Sequence, residues 1–201
     1  MTEQIEHQPF WEAEGLPEPG ARLATEAYMQ LPETHIAMEL IDNVVVYPHW
    51  SRLSMTPAPL LSHQKLVGRI FNLLSQQPGT TYISPVDVRV NTTTILQPDV
   101  VWLAPDSQSA EMETHLQGVP ELVVEVLSLG TARRDKQDKF VLYEANGAKE
   151  YWIVDAANRF IDVYTHRDDT LTLLGTFDEE HDFQSPQLQI THLYSDLFAT
   201  V

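Results

Sequence analysis

The fold is decided by two short apolar segments, residues 97–103 (QPDVVWL) and residues 121–127 (ELVVEVL). Valine-rich runs of this length are typical of strands that are covered on both faces of a sheet. Each segment nevertheless encloses one acid, Asp99 in the first and Glu125 in the second. A carboxylate leaves water only where a cation, a metal or hydrogen-bond donors replace its lost solvation. The sequence therefore predicts that Asp99 and Glu125 have specific partners inside the fold.

A helix that carries a lysine is predicted directly after the second segment. Thr131 can cap a helix over residues 132–146, and Gly147 can end it. Asp135 and Lys139 are four residues apart and share one helical face, from which the long lysine can reach back over the end of the sheet. Two acids and a lysine at strand ends are the minimal set for metal-dependent phosphodiester hydrolysis. The acids hold Mg²⁺, and the lysine supports the attacking water or the charge on the phosphate.

The remaining elements follow from periodicity and turn signals. We expect a short helix over residues 25–31, a long helix over residues 60–76 and a last helical turn over residues 193–198. We expect strands over residues 36–47 with a turn at Asp42-Asn43, and over residues 80–90, 95–103, 151–155, 160–166 and 170–177. This order of elements indicates an α/β protein with a mixed sheet in the middle.

Several short motifs, in their order and spacing, resemble the Uma-type family of restriction endonucleases within the PD-(D/E)XK nuclease superfamily. The motifs are Glu39-Leu40-Ile41-Asp42, His63, Pro85-Val86-Asp87-Val88-Arg89, Pro98-Asp99, Glu125-Val126-Leu127-Ser128, Arg133-Arg134-Asp135, Lys139, Tyr143 and Glu150-Tyr151-Trp152-Ile153-Val154-Asp155. The resemblance extends over residues 24–196. It implies a restriction endonuclease-like core, with a mixed central β-sheet flanked by helices, and a metal-dependent DNA endonuclease that uses Mg²⁺ or Mn²⁺.

The resemblance also implies roles for individual residues. The catalytic residues would be Asp99, Glu125 and Lys139; the metal ligands Asp99, Glu125 and Glu39; and the auxiliary residues His63, Asp135 and Tyr143. We expect Arg133, Arg134 and Lys136 to bind DNA, because cations at the start of a helix oppose its dipole and call for an external anion or the nearby acids.

Each of these residues also has a purely structural interpretation. Asp99 can bond nearby backbone amides at a strand start, and Glu125 can form a buried ion pair with an arginine. Lys139 can form a surface pair with Asp135. His63 can be a cap or surface residue, Glu39 a strand-face acid and Tyr143 a half-buried packing residue.

Two departures from the family pattern bear on activity. The superfamily lysine that normally follows the acid by two residues is Leu127 here, and Lys139 on the next helix takes its place, as in Uma-type members. Family members carry a second acid two residues after Asp42, where this chain has Val44. The second hypothesis is therefore a non-catalytic binding or assembly module on the same fold.

Composition limits the remaining possibilities. The net charge of −17 argues against nucleic-acid binding, but residues 1–20 and the chain after Arg167 supply −12 of it. We expect a loose acidic arm over residues 1–20 and a single domain over residues 21–201. The chain has no cysteine and no long apolar run, which favours a cytoplasmic protein without a membrane anchor. A homodimer is expected, because two active sites related by twofold symmetry can cut both strands of a duplex.

Overall fold

A computed structural model of the chain describes residues 9–48, 50–51, 54–55, 61–127, 135–192 and 194–198, with the backbone alone at 50–51, 54–55 and 135–136. The helices are α1 Phe10–Ala13, α2 Thr25–Tyr28, α3 Leu61–Ser75, a π-helix Asp135–Lys139, α4 Phe140–Ala145 and α5 Tyr194–Phe198. The strands are β1 Glu39–Ile41, β2 Val44–Val46, β3 Trp50–Ser51, β4 Ser54–Met55, β5 Thr80–Ile83, β6 Val88–Arg89, β7 Ile95–Leu96, β8 Val100–Leu103, β9 Ala110–Glu111, β10 Leu116–Gln117, β11 Leu122–Leu127, β12 Glu150–Asp155, β13 Phe160–Arg167, β14 Thr170–Phe177, β15 Phe183–Ser185 and β16 Ile190–His192.

The central sheet has the strand order β14-β13-β12-β11-β8-β5. Strands β11 and β12 are parallel and the other neighbours are antiparallel, so the predicted mixed sheet is confirmed. Every residue of β11 is buried, as the valine-rich run requires. Val124 and Val126 face the core beneath α3, whereas Val123 and Leu127 face the core beneath α4. By this alternation Glu125 faces the α4 side.

A second sheet has the order β2-β1-β7-β6-β10-β9. It contains parts of two segments that the sequence predicts as single strands. Residues 80–90 divide into β5 and β6, and residues 95–103 divide into β7 and β8, so each segment passes from one sheet to the other. Pro85 and Pro98 lie at the two breaks, where the missing amide hydrogen of proline interrupts a strand ladder. The turn at Asp42-Asn43 is confirmed, with φ of 51° and 63°.

The long helix predicted over residues 60–76 is confirmed as α3, and so are the three late strands β12, β13 and β14. The helix predicted over residues 132–146 is described from Asp135 onward, where one π-helical turn leads into α4. Its predicted cap, Thr131, lies outside the described residues. None of the described helices has the length and apolar character needed to cross a membrane.

The described part of the predicted N-terminal arm packs on the second sheet. Leu16 is buried in a cluster with Leu40 and Val45, and Phe10 packs edge to face on Tyr47 with the ring centroids 5.1 Å apart, a distance typical of aromatic pairs. The Tyr47 hydroxyl donates to the Pro17 carbonyl oxygen at 2.6 Å. The aromatic and apolar residues of this acidic segment therefore anchor it, while residues 1–8 lie outside the described residues.

Candidate active site

The centre of the site is a buried lysine between two buried glutamates. The Lys139 ammonium lies 2.6 Å from Oε1 of Glu125 and 3.2 Å from Oε1 of Glu39. Glu39 is 0% exposed, Glu125 3% and Lys139 4%. Burial of this degree excludes a surface pair for Lys139, and it answers the question that the sequence raises about Glu125, whose cation is a lysine rather than an arginine.

Local structure places each member of this trio. Glu125 projects from the fully buried strand β11 toward α4, and Lys139 ends the π-helical turn that precedes α4. Tyr143, one helical turn further on, is 0% exposed, and its hydroxyl donates to Oε1 of Glu125 at 3.1 Å. Two donors therefore meet at one carboxylate oxygen, which fixes the orientation of the Glu125 side chain. Tyr143 is therefore a core residue that also contacts the candidate site.

Glu39 reaches the trio from the second sheet. Its strand β1 pairs with β7, and the backbone amide of Gln97, just after β7, donates to Oε1 of Glu39 at 3.0 Å. The Gln97 side chain in turn donates to Oδ1 of Asp87 at 2.8 Å. Burial raises the pKa of the Asp87 carboxyl, and the hydrogen bond from Gln97 opposes that rise. Sequence reasoning did not assign Gln97 a role, although its position before Pro98-Asp99 was a usable signal.

Asp99 lies at the other side of the Glu125 strand, immediately before β8. Its Oδ2 accepts a hydrogen bond from the Val126 amide at 2.7 Å, and Nε2 of His63 is 3.5 Å from the same oxygen. His63, in the first turn of α3, donates from Nε2 to the Val126 carbonyl oxygen at 2.9 Å. Both polar groups of the residue after Glu125 are thus bound by predicted site residues. The expectation that Asp99 bonds a backbone amide is confirmed, but the amide belongs to the neighbouring strand β11 and not to the strand that follows Asp99.

The charges of the trio bear on its capacity for a divalent cation. Two buried carboxylates face one ammonium, which leaves one negative charge in a region where uncompensated charge is costly. Carboxylate oxygens are the ligands that Mg²⁺ prefers, and Mg²⁺ is usually held by one or two carboxylates plus waters and substrate phosphate. The donor chemistry of Glu39, Glu125 and Asp99 therefore fits this ion. Over the described ranges, no three or more His, Cys, Asp or Glu side chains form a complete ligand group.

The two departures from the family pattern can be located. Leu127, at the usual lysine position, is on the same face of β11 as Glu125 and packs in the core near Tyr143, while Lys139 supplies the ammonium from the next helix. Val44 pairs with Ile41, and Glu39 pairs with Val46 in the same hairpin. Val44 and Glu39 therefore share one face, and an acid at position 44 would be on the carboxylate side of the hairpin.

The predicted basic cluster is not part of this geometry. Arg133 and Arg134 lie outside the described residues, and so do the side chains of Asp135 and Lys136. Their expected contacts with DNA, and the auxiliary role of Asp135, stay predictions. The structure brings together Glu39, Glu125, Lys139 and Tyr143 on one side of β11, with Asp99 and His63 at its end.

Comparison with known proteins gives a family and a similar fold. Residues 25–193 match the model of the Uma2 family, which is described as putative restriction endonuclease. Among solved structures, a crystal structure of a putative nuclease belonging to DUF820 from Anabaena variabilis superposes with a TM-score of 0.69 at 15% sequence identity, over 88% of this chain and 98% of that chain. That likeness concerns the fold. No curated protein matches the sequence. Because the family match extends over most of the chain, the protein belongs to the Uma2 family of putative restriction endonucleases.

Proposed function

We propose that this protein is a metal-dependent endonuclease that hydrolyses phosphodiester bonds of DNA. The observation that carries the proposal is the convergence of Glu39 and Glu125 on the buried Lys139, beside Asp99 at the end of β11. An ammonium that meets two carboxylates, with a third carboxylate at the end of the same strand, supplies the kinds of group that this chemistry requires. Membership of the Uma2 family supports the same reaction class.

The proposed roles follow from the contacts. Glu125, Asp99 and Glu39 would hold Mg²⁺ or Mn²⁺. When bound, the metal polarises the scissile phosphate and makes water a better nucleophile. Lys139 stabilises negative charge on the phosphate oxygens and holds the attacking water, because its ammonium has three donors. Tyr143 orients Glu125, and His63 and Asp99 hold the end of β11 on which Glu125 is carried.

Plasmid nicking by the wild type and two variants tests the proposal. Glu125→Gln keeps the side-chain shape and removes the charge, so we expect it to abolish cleavage. Lys139→Ala should lower the cleavage rate more than DNA binding, because the lysine acts mainly in the transition state. Cleavage should require Mg²⁺ or Mn²⁺. Equal trace nicking by all three proteins would contradict the proposal and would indicate contamination.

A non-catalytic binding or assembly module is the second candidate function. Two observations favour it: Lys139 forms an ion pair with each of the two glutamates, and Val44 replaces an acid on the Glu39 side. Calorimetric titration of Mg²⁺ and Mn²⁺ into the wild type and Glu125→Gln separates the two candidates. Metal binding that Glu125→Gln abolishes supports the endonuclease, whereas no binding by either protein, together with no cleavage, supports the module.

We also propose that the protein acts as a homodimer, so that two sites face the two strands of a duplex. The late strands end in β14, which within the described strands pairs with β13 alone and forms an edge of the central sheet. Sedimentation equilibrium at micromolar concentration tests this proposal. A monomer over the whole concentration range, with and without DNA, would contradict it.

A further inference from the structure

The acids of this chain are unevenly distributed in a way that bears on how DNA can approach it. The chain has 29 acids in 201 residues, yet none occurs in residues 43–86. That stretch carries three bases, so its formal charge is +3 and the rest of the chain carries −20. A duplex is repelled by a strongly negative surface, and its phosphates are attracted by the part that lacks carboxylates.

Helix α3 is the longest described element in this acid-free stretch. Its inner face packs against the central sheet through Leu66, Ile70 and Leu74. Its outer face is an exposed stripe, and Leu61, Lys65, Gly68 and Asn72 form it at helical spacing. Lys65 is exposed, and among the described residues it has no ion-pair partner. An exposed lysine without a carboxylate partner is available to a phosphate.

Gly68 is a second, independent observation on the same stripe. A glycine inside a helix costs about 0.5–1 kcal/mol of stability relative to alanine, and one reason to tolerate this cost is a neighbour that leaves no space for a side chain. At Gly68 an added Cβ would meet nothing within 4 Å, and the backbone has no positive φ that demands glycine. Within the described part of the protein, therefore, no packing contact accounts for the missing side chain. Close approach of an external partner to the helix backbone does account for it.

The stripe also begins at the candidate active site. His63, two residues before Lys65 in α3, hydrogen-bonds the Val126 carbonyl oxygen and lies near Asp99. A duplex lying along the stripe from Leu61 toward Asn72 would therefore have one end near Asp99, whereas the Glu39, Glu125 and Lys139 trio lies on the α4 side of the sheet. At its far end the stripe meets a pocket of about 230 Å³ that is lined by Arg69, Asn72 and Asp196 among others, so an acid borders the stripe there.

We propose that the outer face of α3, centred on Lys65 and Gly68, binds the phosphate backbone of duplex DNA and leads it toward the Asp99 end of the site. This inference rests on the proposed function, since it takes DNA as the substrate. The partner fits because the face combines a lysine with hydrogen-bonding side chains and has no acid of its own, which suits phosphate contacts without base recognition. Contacts of this type predict binding that is independent of base sequence.

The experiment is fluorescence anisotropy with a labelled duplex, in EDTA so that binding is measured apart from cleavage. Lys65→Glu should weaken duplex binding roughly tenfold at moderate salt and lower the salt-dependence slope by about one or more, as expected for a lost phosphate contact. Lys149→Glu is the matched control, because Lys149 is also exposed and lies just before β12, at the opposite end of the sheet from Glu125. Both variants change the net charge equally, and the control should bind as the wild type does.

Gly68→Gln and Gly68→Ala test the close approach. Alanine should raise the melting temperature of the protein, since nothing opposes its methyl group, and glutamine should weaken duplex binding while the protein remains folded. Equal loss of binding in Lys65→Glu and Lys149→Glu would overturn the proposal, because it would mean that binding depends only on the net charge of the protein. Wild-type affinity in both Lys65→Glu and Gly68→Gln, preference for single-stranded DNA or RNA, or no duplex binding at low salt would also overturn it. If the α3 variants bind and cleave DNA as the wild type does, the proposed endonuclease function stands and the proposed role of the α3 face is refuted.

Discussion

The two sides of the Glu125 strand solve the same problem in different ways. On the α4 side, Glu125 and Glu39 are almost completely buried and share the Lys139 ammonium. At the strand end, the Asp99 side chain is 22% exposed, and its Oδ2 is bound by a backbone amide. One pair of carboxylates is stabilised by a formal charge, and the other carboxylate by a neutral dipole and partial access to water.

The difference indicates where charge matters and where shape is enough. A buried carboxylate that loses its cation retains an uncompensated charge, whereas a partly exposed carboxylate that loses one donor can turn to water. Variants at the two places should therefore differ in how much free energy of unfolding they lose and in whether metal restores it. The four predictions below are ordered from the largest expected effect to the smallest.

Lys139→Met should be the most destabilising change. It leaves Glu39 and Glu125 buried together without a cation, and breaking a buried pair in this way costs about 3–5 kcal/mol. Urea unfolding followed by circular dichroism measures the loss, with Lys149→Met as an exposed-lysine control. If the carboxylates bind Mg²⁺, millimolar Mg²⁺ should restore part of the lost stability. A loss no larger than that of the control would mean that the trio is not a stabilising unit.

Asp99→Ala should cost less, about 1–3 kcal/mol, because it removes the acceptor for the partly buried Val126 amide. Asp99→Asn keeps an acceptor oxygen and should remain close to the wild type in the free energy of unfolding. The contrast between the two variants shows that geometry rather than charge matters at this end. Equal destabilisation by Asn and Ala, measured in the same urea titration, would show that the charge of Asp99 is required for folding.

Glu125→Gln should leave the free energy of unfolding within about 1 kcal/mol of the wild type. The change removes the excess negative charge of the trio, while Glu39 still pairs with Lys139 and the amide oxygen can accept from Tyr143. Thermal unfolding over several salt concentrations measures the effect. Destabilisation as large as that of Lys139→Met would imply that Glu39 alone cannot hold the lysine.

Asp87→Asn should have the smallest effect, and one that depends on pH. Burial raises the folded-state pKa of Asp87, so its contribution to stability is present below the unfolded pKa and is lost as pH rises through the folded pKa. The variant should therefore gain stability relative to the wild type as pH rises above about 4. Urea titrations at a series of pH values test this, with the exposed Asp106→Asn as control. A stability difference that is constant with pH would contradict the expected sign.

The sequence was sufficient for the local features of this site. An acid enclosed in a valine-rich run required a partner, and helical spacing put Lys139 and Tyr143 one turn apart on a single face. The contact between Lys139 and Glu39 could not be derived in this way, because the two residues lie in different layers and periodicity does not specify which layers meet. The resemblance to a family indicated Glu39 as a site residue but not that it shares the Glu125 cation.

Two features of the fold were also beyond sequence reasoning, for physical reasons. The residues 80–90 and 95–103 read as continuous strands because β-type apolar patterning is the same in either sheet, so nothing in it marks the crossing between sheets. The π-helical turn at Asp135–Lys139 differs from an α-helix by one residue per turn, which a short amphipathic pattern does not resolve. The contacts of Phe10 and Leu16 with the second sheet were likewise not derivable from the acidic composition of residues 1–20.

The distance in sequence between the members of the trio has a consequence for the newly synthesised protein. Glu39 belongs to an early hairpin, whereas Glu125 and Lys139 are added only after most of the chain has been made. Contacts between residues so far apart form late in folding, because the intervening chain must first lose its conformational entropy. A ribosome-bound chain that ends before Lys139 therefore contains no complete trio, and any activity of this centre arises only once the central sheet has closed around it.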